Sequence, residues 1–447
     1  MQTNTDVKGI FMKLIRNPWL SVITALIVGV SIGIASSVHA ERDQSRLPVE
    51  DVRMLSQVLE RIKQAYVDEV DDTQLLQSAI EGMLSGLDPH SDFLTPSDFE
   101  DLRESTSGQF GGLGIEITLD DTGFVRVVAP IDDTPAFHAG MQSGDLITQI
   151  NDTPVKGMTI NEAVTLMRGT PGTSVRLTVA RDGESQPLRV DITRDIIRVT
   201  SVRSRMLEPG FGYVRVSTFQ ERTGNDLVQA LSNLREENGG SLDGLVLDLR
   251  NNPGGVLQAS VDVADAFMSG GLVVYTEGRL PNSASRFNAR RNDPSEGVSL
   301  VVLINGGSAS ASEIVAGAIQ DHGRGVIMGT RSFGKGSVQT ILPLSDNHAI
   351  KLTTARYYTP NGRSIQAQGI VPDIVVRPGR LTQEDGNPYY TEADLAGHLA
   401  NPEGENGRED RELENGDEGQ TQVMEDYQLY QALTLLKGMR ILNAQNR

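Results

Sequence analysis

The sequence predicts a multidomain α+β protein, in which a helical N-terminal region precedes a strand-rich, glycine-rich middle and a larger α/β core. Three observations predict it. Val52, Leu55, Val58, Leu59 and Ile62 recur at spacings of three and four, the period of a helix with one apolar face. From about Ser105 to Thr193 short strand-like runs are separated by glycine turns. From about Val199 strands and helices alternate: Gly212–Val216, a helix near Asn225–Glu237, Gly244–Leu249, a helix after Gly255, and the apolar strand Val298–Ile304.

At 447 residues and 38% hydrophobic content the chain is long enough for two or three domains with real cores. It has no cysteine, so neither disulfides nor a cysteine nucleophile enter. A net charge of −19 argues against nucleic acid as a partner. Residues 1–40 read as a targeting segment. Lys8, Lys13 and Arg16 precede an apolar run from about Trp19 to Ala35, and Ser36-Ser37-Val38-His39-Ala40 offers a small-residue cleavage site. The remainder is expected in the periplasm or another exported compartment, with a retained inner-membrane anchor as the open alternative to a cleaved signal peptide.

The N-terminal helical region, 41–104, holds the first amphipathic helix and a second near Thr73–Leu84, and then turns at Gly86-Leu87-Asp88-Pro89-His90-Ser91. Such a helix pair can pack on the main core or join subunits. His90 sits in that turn with no metal partner in view.

The chemistry concentrates between Gly306 and Gln339. A run of tiny residues, Gly306-Gly307-Ser308-Ala309-Ser310, feeds an alanine-rich helix expected to stop near Asp321-His322-Gly323. Val326–Met328 reads as a buried strand, a glycine-rich turn carries Lys335, and Ser337–Leu342 alternates as a further strand. From Ser310 to Asp321 the helix advances about 16 Å, and five strand residues retrace about that length. Lys335 can therefore return beside Ser310. A serine at a helix N-terminus lies near free N–H donors, and a desolvated, neutral lysine can act as its base.

Two competitors fail on spacing. His322 lies about 18 Å from Ser310 along one helix, and Asp321 is excluded with it. Gly329-Thr330-Arg331-Ser332-Phe333-Gly334-Lys335 approaches a phosphate-loop pattern, but Gly336 stands where magnesium requires Ser or Thr, and a strand follows where a helix is needed.

Gly307–Ile314, Phe333–Gln339, Tyr357–Ile365 and the upstream Asp248-Leu249-Arg250-Asn251-Asn252-Pro253-Gly254-Gly255 together resemble the carboxyl-terminal processing (tail-specific) protease family. The resemblance implies that Ser310 is the nucleophile, Lys335 the base and Gln339 the residue that orients it. It further implies an oxyanion hole from backbone N–H groups at Gly254, Gly255 and Ala311. Glycine lets backbone approach a substrate closely, although Asn-Pro-Gly-Gly is also an ordinary tight turn after a buried strand. Alternate residues on a strand share a face, so positions 335, 337 and 339 are expected to point the same way.

Phe110-Gly111-Gly112-Leu113-Gly114-Ile115, with Ala139-Gly140-Met141 and Gly144-Asp145-Leu146-Ile147 downstream, resembles a PDZ domain over 105–195. Gly112, Leu113, Gly114 and Ile115 would then bind a substrate C-terminus, because successive N–H groups around glycine make an anion nest and the next strand offers an edge. Arg168, ending the helix Thr159–Arg168, is expected to contact its own helix C-terminus. Coupling of the PDZ domain to the protease is the second reading.

The protease core is expected over 196–380, with a mobile loop between Arg279 and Glu296. Residues 381–424 read as an acidic disordered linker. Fourteen acidic and two basic residues lie between Glu384 and Asp426. A helix within 425–447 carries Leu429, Ala432, Leu433, Leu436 and Met439 in register. The expectation is an exported serine endopeptidase that needs no cofactor or metal and selects protein substrates by accessible C-termini. A homo-oligomeric assembly and an activating adaptor protein are the expected partners. The rivals are a non-catalytic PDZ adaptor and an acyl-transfer enzyme acting on a thioester.

Overall fold

The computed structural model describes residues 48–280, 283–290, 293–379, 398–399 and 426–445. The targeting segment lies outside them, as does the acidic linker apart from 398–399. Two compact units are present, one up to Met83 and one from Leu84 onward.

The first unit contains α1 (Val49–Ala65) and most of α2 (Asp72–Ser85), tied to each other by Lys63 and Asp72 at 2.7 Å. The predicted periodicity of α1 is real, yet its apolar stripe is uncovered. Val52, Leu55 and Val58 remain 49%, 45% and 50% exposed.

The second unit opens with β1 (Asp92–Leu94) and α3 (Pro96–Ser107). Thr95 starts α3 with a reciprocal capping pair to Asp98, and Pro96 occupies the first turn, where its missing N–H costs nothing. Then come β2 (Gln109–Gly112), β3 (Ile115–Leu119), β4 (Val125–Pro130), α4 (Pro135–His138), β5 (Leu146–Ile150), β6 (Thr153–Pro154), α5 (Ile160–Met167), β7 (Ser174–Ala180), β8 (Leu188–Thr193) and β9 (Asp195–Arg198). The strands order as β3-β4-β5-β7-β8 over a core that includes Val127, Ile147, Ile150, Leu177 and Val179. β3 is an edge strand, and β2 pairs with β9 where the chain enters and leaves.

The remaining elements are β10 (Val202–Glu208), β11 (Phe211–Val216), α6 (Thr223–Asn238), β12 (Gly244–Asp248), α7 (Leu257–Asp265), β13 (Gly271–Gly278), β14 (Ser285–Ala289), β15 (Ser299–Ile304), α8 (Ala311–Asp321), β16 (Val326–Gly329), β17 (Ser337–Pro343), β18 (Ala349–Tyr358), β19 (Ile374–Val375) and α9 (Tyr427–Gln445). A six-stranded sheet, β10-β11-β12-β15-β16-β19, is parallel from β11 onward. Its strands read as continuous apolar runs because helices cover both faces. Residues of α6, α7 and α8 fill one side, and Leu429, Ala432, Leu433 and Leu436 of α9 fill the other. A second, antiparallel sheet runs β1-β18-β13-β14, with β17 on β18.

One expectation fails here. Within 279–296, expected as a mobile loop, the chain forms β14, which pairs with β13. Arg286 and Asn288 of β14 are exposed while Phe287 and Ala289 turn inward, an alternation of only two apolar residues among polar neighbours and too short to mark a strand in sequence.

Beneath the sheet's carboxyl edge, Arg250 forks between two carboxylates. Its Nε and Nη2 donate to Asp248 at 2.9 and 2.6 Å, and Nη1 and Nη2 donate to Asp426 at 2.9 and 2.6 Å. Asp248 is fully buried and also accepts from Tyr213 at 2.8 Å. This charged cluster ties the root of the Asn251–Gly255 turn to the first residues of α9.

Candidate active site

The loops after β12, β15 and β16 meet at the carboxyl ends of parallel strands, where open α/β sheets place their sites. Polar side chains fix each loop. Ser308 Oγ donates to Leu249 O at 2.8 Å and Ser312 Oγ to Asn252 O at 2.9 Å. Asn252 Nδ2 donates to Val216 O, and Asn305 and Asn251 exchange hydrogen bonds at 2.9 Å.

Ser310 is the residue before α8 and adopts φ 54°, a left-handed backbone that is costly for a residue with Cβ. Strain of this kind projects a side chain out of a strand-to-helix turn. Glu313, one turn on, holds it there. Glu313 is fully buried, and its Oε2 accepts from Ser310 N at 2.8 Å and Lys335 N at 2.9 Å. Its Oε1 accepts from Ser332 Oγ at 2.6 Å and Gly334 N at 2.7 Å. One carboxylate thus fastens the backbones of Ser310 and Lys335 together. Burial pushes the Glu313 carboxyl up while these donors pull it down, with burial the larger.

Lys335 lines an open cleft of about 1040 Å³ together with Ser310, Ala311, Gly255 and Gln339. Among the described residues its ammonium has no carboxylate within ion-pair distance. Burial lowers its pKa and Lys351 lowers it further, while Asp88 and Glu313 act in the opposite sense. That is the electrostatic setting of a lysine able to lose its proton. Tyr357, fully buried, donates its hydroxyl to Lys335 O, and burial keeps that phenol protonated.

The backbone donors divide unevenly. Gly254 N already donates to Asn252 Oδ1 at 2.9 Å. Among the described residues, the N–H groups of Gly255 and Ala311 have no acceptor and remain open. Gly254 contributes by its missing Cβ, which at φ 106° would stand 2.9 Å from Ser310 Cβ and 3.1 Å from Ala311 N. Gly255 is equally obligatory, since a Cβ would meet Phe219 O at 2.1 Å.

Gln339 lines the same cleft but bonds elsewhere. Its Nε2 donates to Ser337 Oγ at 3.0 Å and Thr353 Oγ1 at 3.2 Å. A bulge between Val338 and Gln339 breaks the simple alternation expected of positions 335, 337 and 339. His322 lies at the far end of α8 against Leu272 O at 2.7 Å, and Asn361 N and Arg363 occupy Asp321, away from Ser310 as the spacing required.

In the N-terminal domain of this unit, Leu113 and Gly114 follow β2 and lead into edge strand β3. Among the described residues their N–H groups have no acceptor, whereas Gly114 O is taken by Ile131 N and Thr134 Oγ1. Gly112 is buried at the end of β2, and Ile115 opens β3 opposite Pro130. Arg168 does not contact its own helix end. Arg194 does so, donating to Leu166 O and Met167 O at 2.9 Å. Arg168 instead reaches α3, at 2.6 Å from Glu104 and 3.3 Å from Asp101, and lies over the Phe110 ring at 4.9 Å. Glu104 and Phe110 are themselves walls of the cleft. The reach of a long side chain has no sequence signature, and nothing local to Arg194 marks it for this contact.

Residues 210–376 match peptidase family S41, 126–181 match the PDZ domain, and 31–96 match the N-terminal domain of the activating protease CtpB. The carboxy-terminal-processing protease of Bartonella bacilliformis is 44% identical over 411 residues, spanning 91% of this chain and 92% of its own. The chain belongs to the carboxy-terminal-processing proteases. This protease is also 36% identical to the carboxyl-terminal-processing protease of Synechocystis, over 73% of this chain and 81% of that one. Carboxy-terminal processing protease CtpA of Bacillus subtilis is 33% identical, over 83% of this chain and 77% of its own. The protein is accordingly a serine-type peptidase built from a helical N-terminal region, a PDZ domain and an S41 core.

Proposed function

We propose that the protease is an exported endopeptidase in which Ser310 attacks the scissile carbonyl and Lys335, neutral at its depressed pKa, takes the serine proton. Gln339 orients Lys335, and the N–H groups of Gly255 and Ala311 stabilise the developing oxyanion, with Gly254 leaving room for it. The observation that carries this reading is the convergence of Ser310 N and Lys335 N on one oxygen of Glu313 at 2.8 and 2.9 Å. Substrate C-termini dock on the open N–H groups of Leu113 and Gly114, with Gly112 and Ile115 framing them, and add as a strand beside β3. Arg168 then couples the PDZ helix to the cleft through Glu104. Export follows from residues 1–40.

The test is cleavage of an unstructured protein with an apolar C-terminus by the chain lacking residues 1–40. Ser310→Ala should abolish cutting, and amidating the substrate's C-terminus should slow it about tenfold or more, because the anion lost is what the nest binds. Undiminished cutting by Ser310→Ala would remove the nucleophile assignment. Equal cutting of the amidated substrate would remove C-terminal selection. Silence from both chains is the result a required adaptor predicts, and adding candidate partners then decides it.

A homo-oligomer formed through α1 is part of the same reading, supported by its half-exposed Val52, Leu55 and Val58. Leu55→Asp with Val58→Asp should lower the mass measured by light scattering to that of one chain. An unchanged mass would place the interface elsewhere.

A further inference from the structure

The turn Gly86–Ser91 is usually the kind of feature a chain uses only to reverse direction, but here it docks on the strand behind the active site. β1 pairs with β18, setting Asp92 opposite Lys351, and Thr353 N donates to Ser91 Oγ at 3.2 Å. Asp88 closes the turn on itself, accepting from His90 N at 2.8 Å, Ser91 N at 3.0 Å and Ser91 Oγ at 2.7 Å. Its Oδ1 also accepts from Thr353 Oγ1 at 3.1 Å, and Thr353 is the cross-strand partner of Gln339.

Hydrogen-bond polarity then runs in one direction. An ionised carboxylate only accepts, so the Thr353 hydroxyl must spend its single hydrogen on Asp88. Thr353 Oγ1 can consequently only accept from Gln339, which fixes the amide with Nε2 towards Thr353 and Ser337. Both hydrogens of that amide are used. Gln339 lines the cleft with Lys335, and its Oε1 is left as the amide's only free hydrogen-bonding atom; an acceptor, not a second N–H, is what an amine base needs to be steered.

Resting on the Ser310–Lys335–Gln339 reading above, we propose that Asp88, acting through Thr353, is a positioning residue that sets the amide orientation of Gln339 and so the alignment of the lysine base. The groups that face Lys335 are Lys351 from β18, Glu313 from α8, and Asp88 and His90 from the turn. Asp88 ionises more readily than an ordinary aspartate because its Ser91, His90 and Thr353 donors outweigh the opposing effect of burial, so it holds the acceptor-only form at neutral pH.

The experiment is a comparison of Thr353→Val, Thr353→Ser and Asp88→Asn with the parent chain in steady-state cleavage across pH. Thr353→Val keeps the shape and removes the relay; kcat is expected to fall about tenfold to a hundredfold with KM within about twofold, as for a slightly misplaced catalytic group. Thr353→Ser should restore kcat to within about threefold, since it returns the hydroxyl. Asp88→Asn should lower kcat and move the acid limb of the profile to lower pH, because the negative charge that favours protonated Lys335 is gone. Parent-like kcat and pH profile in Thr353→Val overturn the proposal. So does a loss of kcat in Asp88→Asn that merely follows a lower melting temperature, with the acid limb unmoved. Failure of the underlying reading looks different: Lys335→Ala would then still turn over.

Discussion

Lys335→Met is expected to fold normally and to lose turnover by about a thousandfold or more, the scale on which removing a nucleophile's base acts. Methionine keeps the length and apolar stem while deleting the amine. In the parent chain, activity should rise with pH through the depressed pKa of Lys335, because only the neutral amine can accept the serine proton. Lys351→Met removes a positive charge that lowers that pKa, so it should shift the acid limb to higher pH. Stability carries an independent signature. A lysine whose folded-state pKa lies below its ordinary 10.5 destabilises the fold while both states are protonated, and the cost fades as pH rises through the window between the two values. Lys335→Met should therefore melt higher than the parent at neutral pH, and its advantage should shrink in alkaline buffer. Comparable turnover in parent and Lys335→Met would end the lysine-base assignment, and a lower melting temperature would contradict the account of its burial.

Glu313→Ala and Glu313→Gln should be the most damaging changes outside the reacting groups. Alanine strands four donors that converge on the carboxylate, at about 1–3 kcal/mol for each that stays dry. A loss of at least about 3 kcal/mol is expected in denaturant melts. Glutamine is the sharper probe. Whichever way its amide turns, an NH2 group faces two former donors. Facing Ser310 and Lys335 it pushes apart the two backbones that the carboxylate fastens; facing Gly334 it opposes an N–H that cannot rotate, although Ser332 can. Activity should fall by about a hundredfold even where enough fold survives to be assayed. Glu313→Gln with parent activity and an unshifted melt would show that the carboxylate does not hold the site.

Much of this is legible in the sequence. The small-residue run to Ser310, the stop at Asp321-His322-Gly323 and the alternation after Lys335 are local patterns, and local patterns survive into structure: α8 ends at Asp321 and β17 begins at Ser337. What stayed hidden is what long-range pairing creates. Gln339 takes its direction from a bulge and from a strand fourteen residues on, and Asp88 meets Thr353 across 265 residues. Glu313 stood inside the recognised motif, but a glutamate in a first helical turn reads as a cap, and only its burial against Ser332, Gly334 and Lys335 reveals the second task. β14 carries just Phe287 and Ala289 between polar residues, too short an alternation to separate from a loop. Arg168, expected at its own helix end, lies on Glu104 of α3, and Arg194 takes the helix end through Leu166 O and Met167 O.

The fork of Arg250 also sets a timetable. A ribosome makes this guanidinium 176 residues before the Asp426 carboxylate that completes its surroundings. By then β12, the Ser310 loop and Lys335 have all been synthesised, yet the Asp248–Arg250 pair beneath the Asn251–Gly255 turn is open to water on the side where α9 will lie. Closing so long a loop costs little more entropy than closing a short one, but it must wait for the segment to exist. The Asn251–Gly255 turn already has its bonds to Val216, Asn305 and Ser312, but the charged root beneath it is completed only when the C-terminal helix arrives, so a nascent chain holds Ser310 and Lys335 well before that last support is in place.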